Sequence, residues 1–184
     1  MALEWLKAMP TFEKRVLTLG LSFLLTVSIT MVSLFYPLSA QEINDLGEEL
    51  QQLQDEVKNM DVPQSTVHIF TNNFLICLIM FIPLAGPLFG SWVLHNTGVV
   101  ISASSIINGY PPLFVFLLLF IYPFTWLEFL SYSLAFSQSF WLLWRLIQRR
   151  GREEIKNTVL FIGVAALLLL IGAYIEAWII AQYA

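Results

Sequence analysis

The sequence contains few charged residues and a single cysteine. Charged residues occupy 12% of the 184 positions, about half of their share in a typical soluble domain. Apolar residues reach 58%, which excludes a soluble globular enzyme and a disordered chain. Cys77 alone forms neither an intrachain disulfide nor a cysteine-based zinc site. Because the formal net charge is −4 and no basic domain is present, nucleic acid is not expected as a partner.

Long apolar runs predict an all-α fold, a polytopic transmembrane helix bundle. A helix needs about 20 apolar residues to cross the ~30 Å hydrocarbon core of a bilayer. About five runs qualify, at residues 16–38, 67–94, 98–121, 123–146 and 157–183. The predicted organisation is a cytoplasmic N-terminal segment at 1–15, a first transmembrane helix at 16–38, an extracytoplasmic amphipathic helix within 39–65 and a four-span membrane domain at 66–184.

Two of the predicted spans carry signals that break helices. The second contains Pro87, whose ring predicts a bend. It is followed by His95 and Asn96, which are expected in a cap or a turn. The third contains Asn-Gly-Tyr-Pro-Pro at residues 108–112 and is therefore predicted to be kinked, re-entrant or split into two half-helices.

Basic residues predict the orientation in the membrane. Eight of the nine Lys and Arg residues flank the first span or lie between the last two, and they are Lys7, Lys14, Arg15, Arg145, Arg149, Arg150, Arg152 and Lys156. The segment at 40–65 contains only Lys58. The positive-inside rule then places the N-terminus in the cytoplasm and the C-terminus outside a cell membrane. A secretory signal peptide is the alternative for the first apolar run, but this run is longer than an ordinary 7–15-residue h-region, which favours a retained anchor.

The segment at residues 41–61 is strongly acidic and amphipathic. It carries seven acidic residues against Lys58, and Ser39 with Glu42 fits a capping box. Its apolar residues recur every three or four positions, at Ile43, Leu46, Leu50, Leu53, Val57 and Met60. This stripe is expected either to pack on the protein's own outer surface or to form a short coiled coil with a second copy, giving a homodimer, or with another membrane protein. The acids do not follow the order of an EF-hand calcium loop.

Four polar residues are predicted at one depth in the outer half of the membrane. Glu128, Glu176, Asn72 and Asn73 each lie roughly 8–12 Å from the outer ends of their spans, at a rise of 1.5 Å per residue. Ionisable residues at such depths are candidates for function. Three alternatives stay open: neutral carboxylic acids that hold helices together, a site for a cation, a proton or a polar ligand, and side chains that reach the headgroups.

The order of four short motifs resembles the stage II sporulation protein M family. The motifs are Ile69-Phe70-Thr71-Asn72-Asn73, Asn96-Thr97-Gly98, Pro123 with Glu128, and Ile175-Glu176-Ala177. The resemblance covers about residues 67–180 and implies an integral membrane protein of about five helices. It also implies that Asn72, Asn73, Asn96, Gly98, Pro123, Glu128 and Glu176 are family positions. The family usually has Pro-His-Gly-x-x-Glu before the fourth span, whereas this chain has Pro123-Phe124-Thr125-Trp126-Leu127-Glu128, which lacks the His and the Gly.

The resemblance and the residues together give two functional hypotheses. The sporulation member of the family acts with peptidoglycan-degrading partner proteins, which implies a non-enzymatic membrane scaffold or partner-anchoring subunit here. The alternative is a small transporter or channel for a cation, a proton or a polar solute that uses the Glu/Asn cluster. The sequence contains no nucleophile motif, metal-ligand motif or phosphate-binding loop, so no catalytic residue, metal or cofactor is predicted.

Overall fold

The computed structural model describes residues 11–183, and this part of the chain contains seven helices and no strand. The helices are α1 (Thr11–Ser33), α2 (Ala40–Lys58), α3 (Val62–Met80), α4 (Ala85–Ile107), α5 (Pro112–Leu119), α6 (Pro123–Ile147) and α7 (Gly151–Tyr183). The all-helical class predicted from the sequence is confirmed. Most of the predicted cytoplasmic segment, including Lys7, lies outside the described residues.

Two helices are individually long and apolar enough to cross a membrane. They are α1 and residues Gly151–Gln182 of α7. The pair formed by α4 and α5 counts as a third candidate if it is treated as one broken span, since the two helices meet at 117°. The helix is therefore interrupted at residues 108–112, as all three predicted alternatives require. The interruption coincides with Gly109 at φ +73°, a conformation that glycine adopts without strain.

Helix α6 forms the centre of the bundle. It packs against α1, α3, α4 and α7, and every residue from 131 to 139 is buried. Many of these residues are serines, whose hydroxyls donate to backbone carbonyls: Ser131 to Leu127 at 2.7 Å, and Ser139 to Ile82 of the loop before α4 at 2.9 Å. Buried polar groups are tolerated where they are hydrogen-bonded in this way.

The predicted span at 67–94 is not one helix, which corrects the sequence analysis. The chain leaves α3 after Met80 and enters α4 at Ala85, with Leu84 at a positive φ of 67° between them. Pro87 does not bend a continuous helix. It lies in the first turn of α4, where its missing N–H is not needed for the helical ladder.

Helix α4 continues through the region expected to be a turn, so that expectation for His95 and Asn96 is also wrong. His95 Nδ1 lies 2.8 Å from the hydroxyl oxygen of Ser33 in α1. Three residues later, Gly98 lies against the backbone carbonyl of Thr30, where a Cβ would collide with that carbonyl. Only glycine at position 98 permits this close approach to α1. The contact holds α4 along α1 as one continuous helix.

Helix α2 begins with the predicted capping box. The Glu42 N–H donates to the Ser39 hydroxyl oxygen at 3.3 Å, and the Ser39 N–H donates to Glu42 Oε2 at 2.8 Å. The helix ends at Lys58, so Met60 follows the helix and does not extend its apolar stripe as predicted. Helix α2 packs on α4, with Gly47 directly against the side chain of Ile107.

Candidate functional site

A cavity of about 540 Å³ lies beneath α2, between α3, α4, α6 and α7. We call it the polar cavity. Its polar lining residues are His68, Asn72, Asn73, Thr97, Glu128, Tyr132 and Glu176, and its apolar ones include Leu50, Leu53, Val57, Ile76, Leu94 and Phe129. The four residues that the sequence places at one depth, Asn72, Asn73, Glu128 and Glu176, therefore line one space.

Helix α3 contributes two adjacent amides to the polar cavity. Asn73 Nδ2 donates to Glu128 Oε1 at 2.6 Å, and Asn72 Nδ2 donates to Asn73 Oδ1 at 3.3 Å. This relay fixes the Glu128 carboxyl of α6 against α3. Pro63 lies in the first turn of α3, and Asp61 caps its N-terminus with Gln64, so the register that aims Asn73 at Glu128 is set from the start of the helix.

Helix α7 brings the second carboxyl group, that of Glu176. Ala173 and Ala177 are each 1% exposed, and a Cβ on Gly172 would lie 3.5 Å from Leu127 Cβ. These small residues let α7 approach its neighbours closely, which carries Glu176 to the edge of the polar cavity. Glu176 accepts no hydrogen bond and forms no ion pair within the described part of the chain.

The charges of the polar cavity are unbalanced. Two carboxyl groups line it, whereas no Lys or Arg of the described residues does. A carboxylate in a poorly hydrated space requires a proton, a hydrogen-bond donor or a cation. The Asn73 amide satisfies one oxygen of Glu128, and the hydroxyls of Tyr132 and Thr97 are further polar groups for a ligand. This set of groups is suited to bind a cation or a solute with amine or hydroxyl donors.

The chain offers no dense metal-ligand cluster in this region. Within residues 11–183, no group of three or more His, Cys, Asp or Glu side chains is arranged to hold a metal ion. Cys77 is fully buried, and its thiol lies 3.7 Å from the backbone oxygen of Ser131. It is therefore part of the α3–α6 packing.

The apolar stripe of α2 lies partly over the polar cavity. Leu50, Leu53 and Val57 line its outer side. Leu53 nevertheless keeps 48% of its surface exposed. Part of the stripe therefore faces the protein's own surface, while part of the Leu53 side chain remains exposed.

The other three family positions lie away from the polar cavity. Gly98 and Asn96 lie on α4, where Gly98 is buried against α1 and Asn96 is half-buried. Pro123 is the first residue of α6, a position that proline favours because its N–H is not required there. Gly98 and Pro123 thus position helices, whereas Asn72, Asn73, Glu128 and Glu176 present functional groups to the polar cavity.

A second polar network, at the opposite end of the bundle, was not predicted from the sequence. Glu154 of α7 accepts from Arg15 Nη2 at 2.5 Å and from Gln138 Nε2 at 2.9 Å, and Gln138 Oε1 accepts from Arg15 Nη1 at 3.2 Å. The Arg15 and Arg145 guanidinium carbons lie 4.7 and 6.0 Å from the Trp141 ring centroid. The sequence features that indicate this network are Gln138 in an apolar run and Glu154 in a basic segment.

Comparison with known proteins places the chain in a family. The model of the family described as stage II sporulation protein M matches residues 19–179, which include all seven helices in whole or in part and the complete polar cavity. No curated protein and no solved structure matches the chain. Because the match extends over most of the sequence, this chain belongs to the stage II sporulation protein M (SpoIIM) family.

Proposed function

We propose that this chain is a non-enzymatic, multi-pass membrane protein that binds a cationic or polar solute in the polar cavity as a step in its transport. One observation carries the proposal: Glu128 and Glu176, from two different helices, line a cavity of about 540 Å³ that no described Lys or Arg lines. A bound cation or an ammonium group supplies the missing positive charge. Asn72, Asn73, Tyr132 and Thr97 supply directional hydrogen bonds.

The proposed topology has five crossings, by α1, α3, α4, α6 and α7, with the N-terminus in the cytoplasm. The Arg15–Glu154 ion pair supports it, because this contact joins the start of α1 to the start of α7 at the end of the bundle where basic residues concentrate. Helix α2 and the polar cavity lie at the opposite end. Helix α5 then follows α4 as a short half-helix that does not cross the membrane, and the exposed turn between α4 and α5 lies at the outer surface in this topology.

Thiol labelling in intact cells tests this topology. Cys77→Ser removes the native thiol, after which Gln51→Cys on α2 or Gln148→Cys after α6 introduces one thiol at an exposed position. Position 51 is expected to react with a membrane-impermeant maleimide in intact cells, and position 148 only after permeabilisation. The reverse pattern contradicts the proposed orientation, and equal labelling of both positions in intact cells contradicts the crossing of α6.

A ligand-binding measurement on the full chain in detergent tests the proposed function. Ethylammonium and sodium are the probes, because each supplies a positive charge of small size. At a probe concentration 100 times Kd, binding stabilises the folded state by about 2.7 kcal/mol. We expect at least one probe to raise the unfolding temperature of the wild type, Glu176→Gln to abolish the shift, and Glu153→Gln, an exposed site on the same helix, to preserve it. An equal shift in Glu176→Gln contradicts the proposal.

The acidic surface of α2 supports a second candidate function, a scaffold that anchors a partner. Asp45, Glu48, Glu49, Asp55 and Glu56 are all exposed. They form a negative surface suited to a basic partner, and the exposed part of Leu53 supplies an apolar contact. Replacing Leu46 and Leu53 with Asp tests homodimer formation through the stripe. Monomers in detergent are expected from the variant if the wild type is a dimer, whereas an unchanged mass contradicts a dimer built on this stripe.

A further inference from the structure

A second cavity of about 530 Å³ adjoins the polar cavity between α2 and α7. We call it the side cavity. The two cavities share five lining residues: Leu50, Leu53, Val57, Ile69 and Glu176. The two cavities therefore adjoin along α2 and α7, and Glu128 and Asn73 line the polar cavity but not the side cavity.

A carboxyl group and an ammonium group line the side cavity. Glu176 stands on α7, without an ion pair or a hydrogen bond among the described residues. Lys58, the last residue of α2, likewise pairs with no described carboxylate. The two residues line the same cavity, and Lys58 is absent from the lining of the polar cavity. Lys58 therefore lines the side cavity alone, Glu176 lies where the two cavities adjoin, and Glu128 lies in the polar cavity.

The rest of the side cavity's wall is mostly apolar. Leu50 and Leu53 contribute from α2, and Ile179 and Ile180 contribute from α7. A small inorganic ion gains nothing from such a wall, whereas an alkyl chain gains about fourfold in affinity for each methylene group that it buries. The occupant that matches the whole space has a positive group, a negative group and an apolar body.

We propose that the side cavity admits a zwitterionic amphiphile from the outer half of the membrane. Its ammonium group pairs with Glu176 and Glu128, its phosphate pairs with Lys58, and its acyl chains lie along the leucines and isoleucines between α2 and α7. The inference rests on the proposed function, since it names the class of solute that the polar cavity takes. An amphiphile reaches the side cavity laterally from the lipid, between α2 and α7, so entry through an aqueous opening is not required.

Three short-chain probes with matched tails test the proposal on the full chain in dodecyl maltoside micelles. Dihexanoyl phosphatidylethanolamine carries both charges. An aminopropanediol diester with the same two hexanoyl chains carries only the ammonium group, and dihexanoyl phosphatidylglycerol carries only the phosphate. We expect the wild type to bind the first probe at least tenfold more tightly than either of the others.

Two variants separate this inference from the proposed function. Lys58→Gln is expected to weaken binding of the zwitterionic probe about tenfold and to leave binding of the ammonium probe unchanged. The control, Lys156→Gln at an exposed position of α7, is expected to change the binding of neither probe. Glu176→Gln is expected to weaken binding of both the zwitterionic and the ammonium probe. If Lys58→Gln leaves the zwitterionic probe unaffected, or if the wild type shows no preference for it, the inference is overturned while the proposed function stands. If Glu176→Gln binds both probes as the wild type does, both proposals are overturned.

Discussion

At the residue scale, one hydrogen bond joins α3 to α6 across the polar cavity. Replacing Asn73 with Leu removes the donor to Glu128 Oε1 and leaves that carboxyl group without a described hydrogen-bond partner. Hydrogen bonds between membrane helices contribute about 0.6–1.7 kcal/mol, and we expect the free energy of unfolding in detergent to fall by that amount. Asn72→Leu is the control, because Asn72 is exposed and donates only to Asn73. A loss in Asn72→Leu as large as in Asn73→Leu contradicts this role of the bond.

The adjacent residues Glu153 and Glu154 at the start of α7 are expected to contribute very differently to stability. Glu154 is 2% exposed and lies between Arg15 and Arg145, at 2.5 and 3.7 Å. Glu154→Gln leaves two partly buried cations without a counter-charge, which costs about 3–5 kcal/mol. Glu153 is 54% exposed in its pair with Arg150, so Glu153→Gln is expected to leave stability unchanged. Chemical unfolding of both variants checks this, and equal effects contradict the network.

The sequence predicts the residues of the polar cavity better than those of the Arg15–Glu154 network. Asn72, Asn73, Glu128 and Glu176 stand out because polar residues in long apolar runs need partners, and counting residues from the span ends assigns them one depth. Arg15 and Glu154 lie among other charged residues near span ends, where solvation explains a charge equally well. Their pairing depends on how α1, α6 and α7 pack, which no local pattern encodes.

At the element scale, the contact between α1 and α4 depends on a glycine. Gly98→Ala places a methyl group on the Thr30 carbonyl, so the two helices must separate and the contacts around it loosen. We expect a large fall in the unfolding temperature. Gly163→Ala in α7 meets nothing within 4 Å and is expected to stabilise by up to about 1 kcal/mol, because alanine favours the helix. An equal response of the two variants contradicts close packing at Gly98.

The start of α2 is expected to depend on pH. Hydrogen bonds from the Ser39 hydroxyl and backbone N–H hold the pKa of Glu42 below its ordinary value. Because the folded-state pKa is lowered, the stabilisation is present above the unfolded-state pKa and is lost as pH falls through the folded-state pKa. Carbon NMR of the Glu42 carboxyl is expected to show its pKa rise in Ser39→Ala. An unchanged titration contradicts the capping contact.

Helix boundaries show where local patterns fail. The capping box at Ser39 and the break at residues 108–112 follow from side-chain chemistry that acts within a few residues, and both are present. The break at residues 81–84 does not follow from the local pattern, because a proline in a long apolar run predicts a bent span as readily as a new helix. Proline is compatible with the first turn of a helix, so Pro87 is equally consistent with a new helix that starts at Ala85.

At the scale of the whole molecule, the bundle separates two polar regions by an apolar middle. The Arg15–Glu154 network ties α1, α6 and α7 together at one end, and the polar cavity lies beneath α2 at the other. Helix α6 contributes to both regions, through Gln138 and Glu128. Ion pairs hold the first end together, whereas the polar cavity at the other end is covered by a single helix, α2, joined by two short loops.

The class of fold follows from composition, because a chain this apolar and this poorly charged needs a membrane to cover it. Helices α1, α6 and α7 follow from apolar runs, whereas the boundaries of α3 and α4 do not, because the predicted spans at 67–94 and 98–121 are divided at other residues. The position of α2 over the polar cavity does not follow, because its stripe is compatible with the protein's own surface and with a partner. That choice depends on the shape of the surface between α3, α4 and α7, which only the folded chain provides.

Thiol cross-linking between positions 128 and 176 tests the central claim, the shared cavity, most directly. In the Cys77→Ser background, Glu128→Cys with Glu176→Cys is treated with a short bifunctional thiol reagent in native membranes, and Glu128→Cys with Glu153→Cys serves as the control. Position 153 adjoins Glu154, which contacts Gln138, and Gln138 is ten residues from position 128, or roughly 15 Å along α6. Rapid cross-linking of the first pair within one chain is expected, and none of the second. Equal cross-linking of the pairs, or none in the first pair while each thiol reacts singly, contradicts a shared cavity.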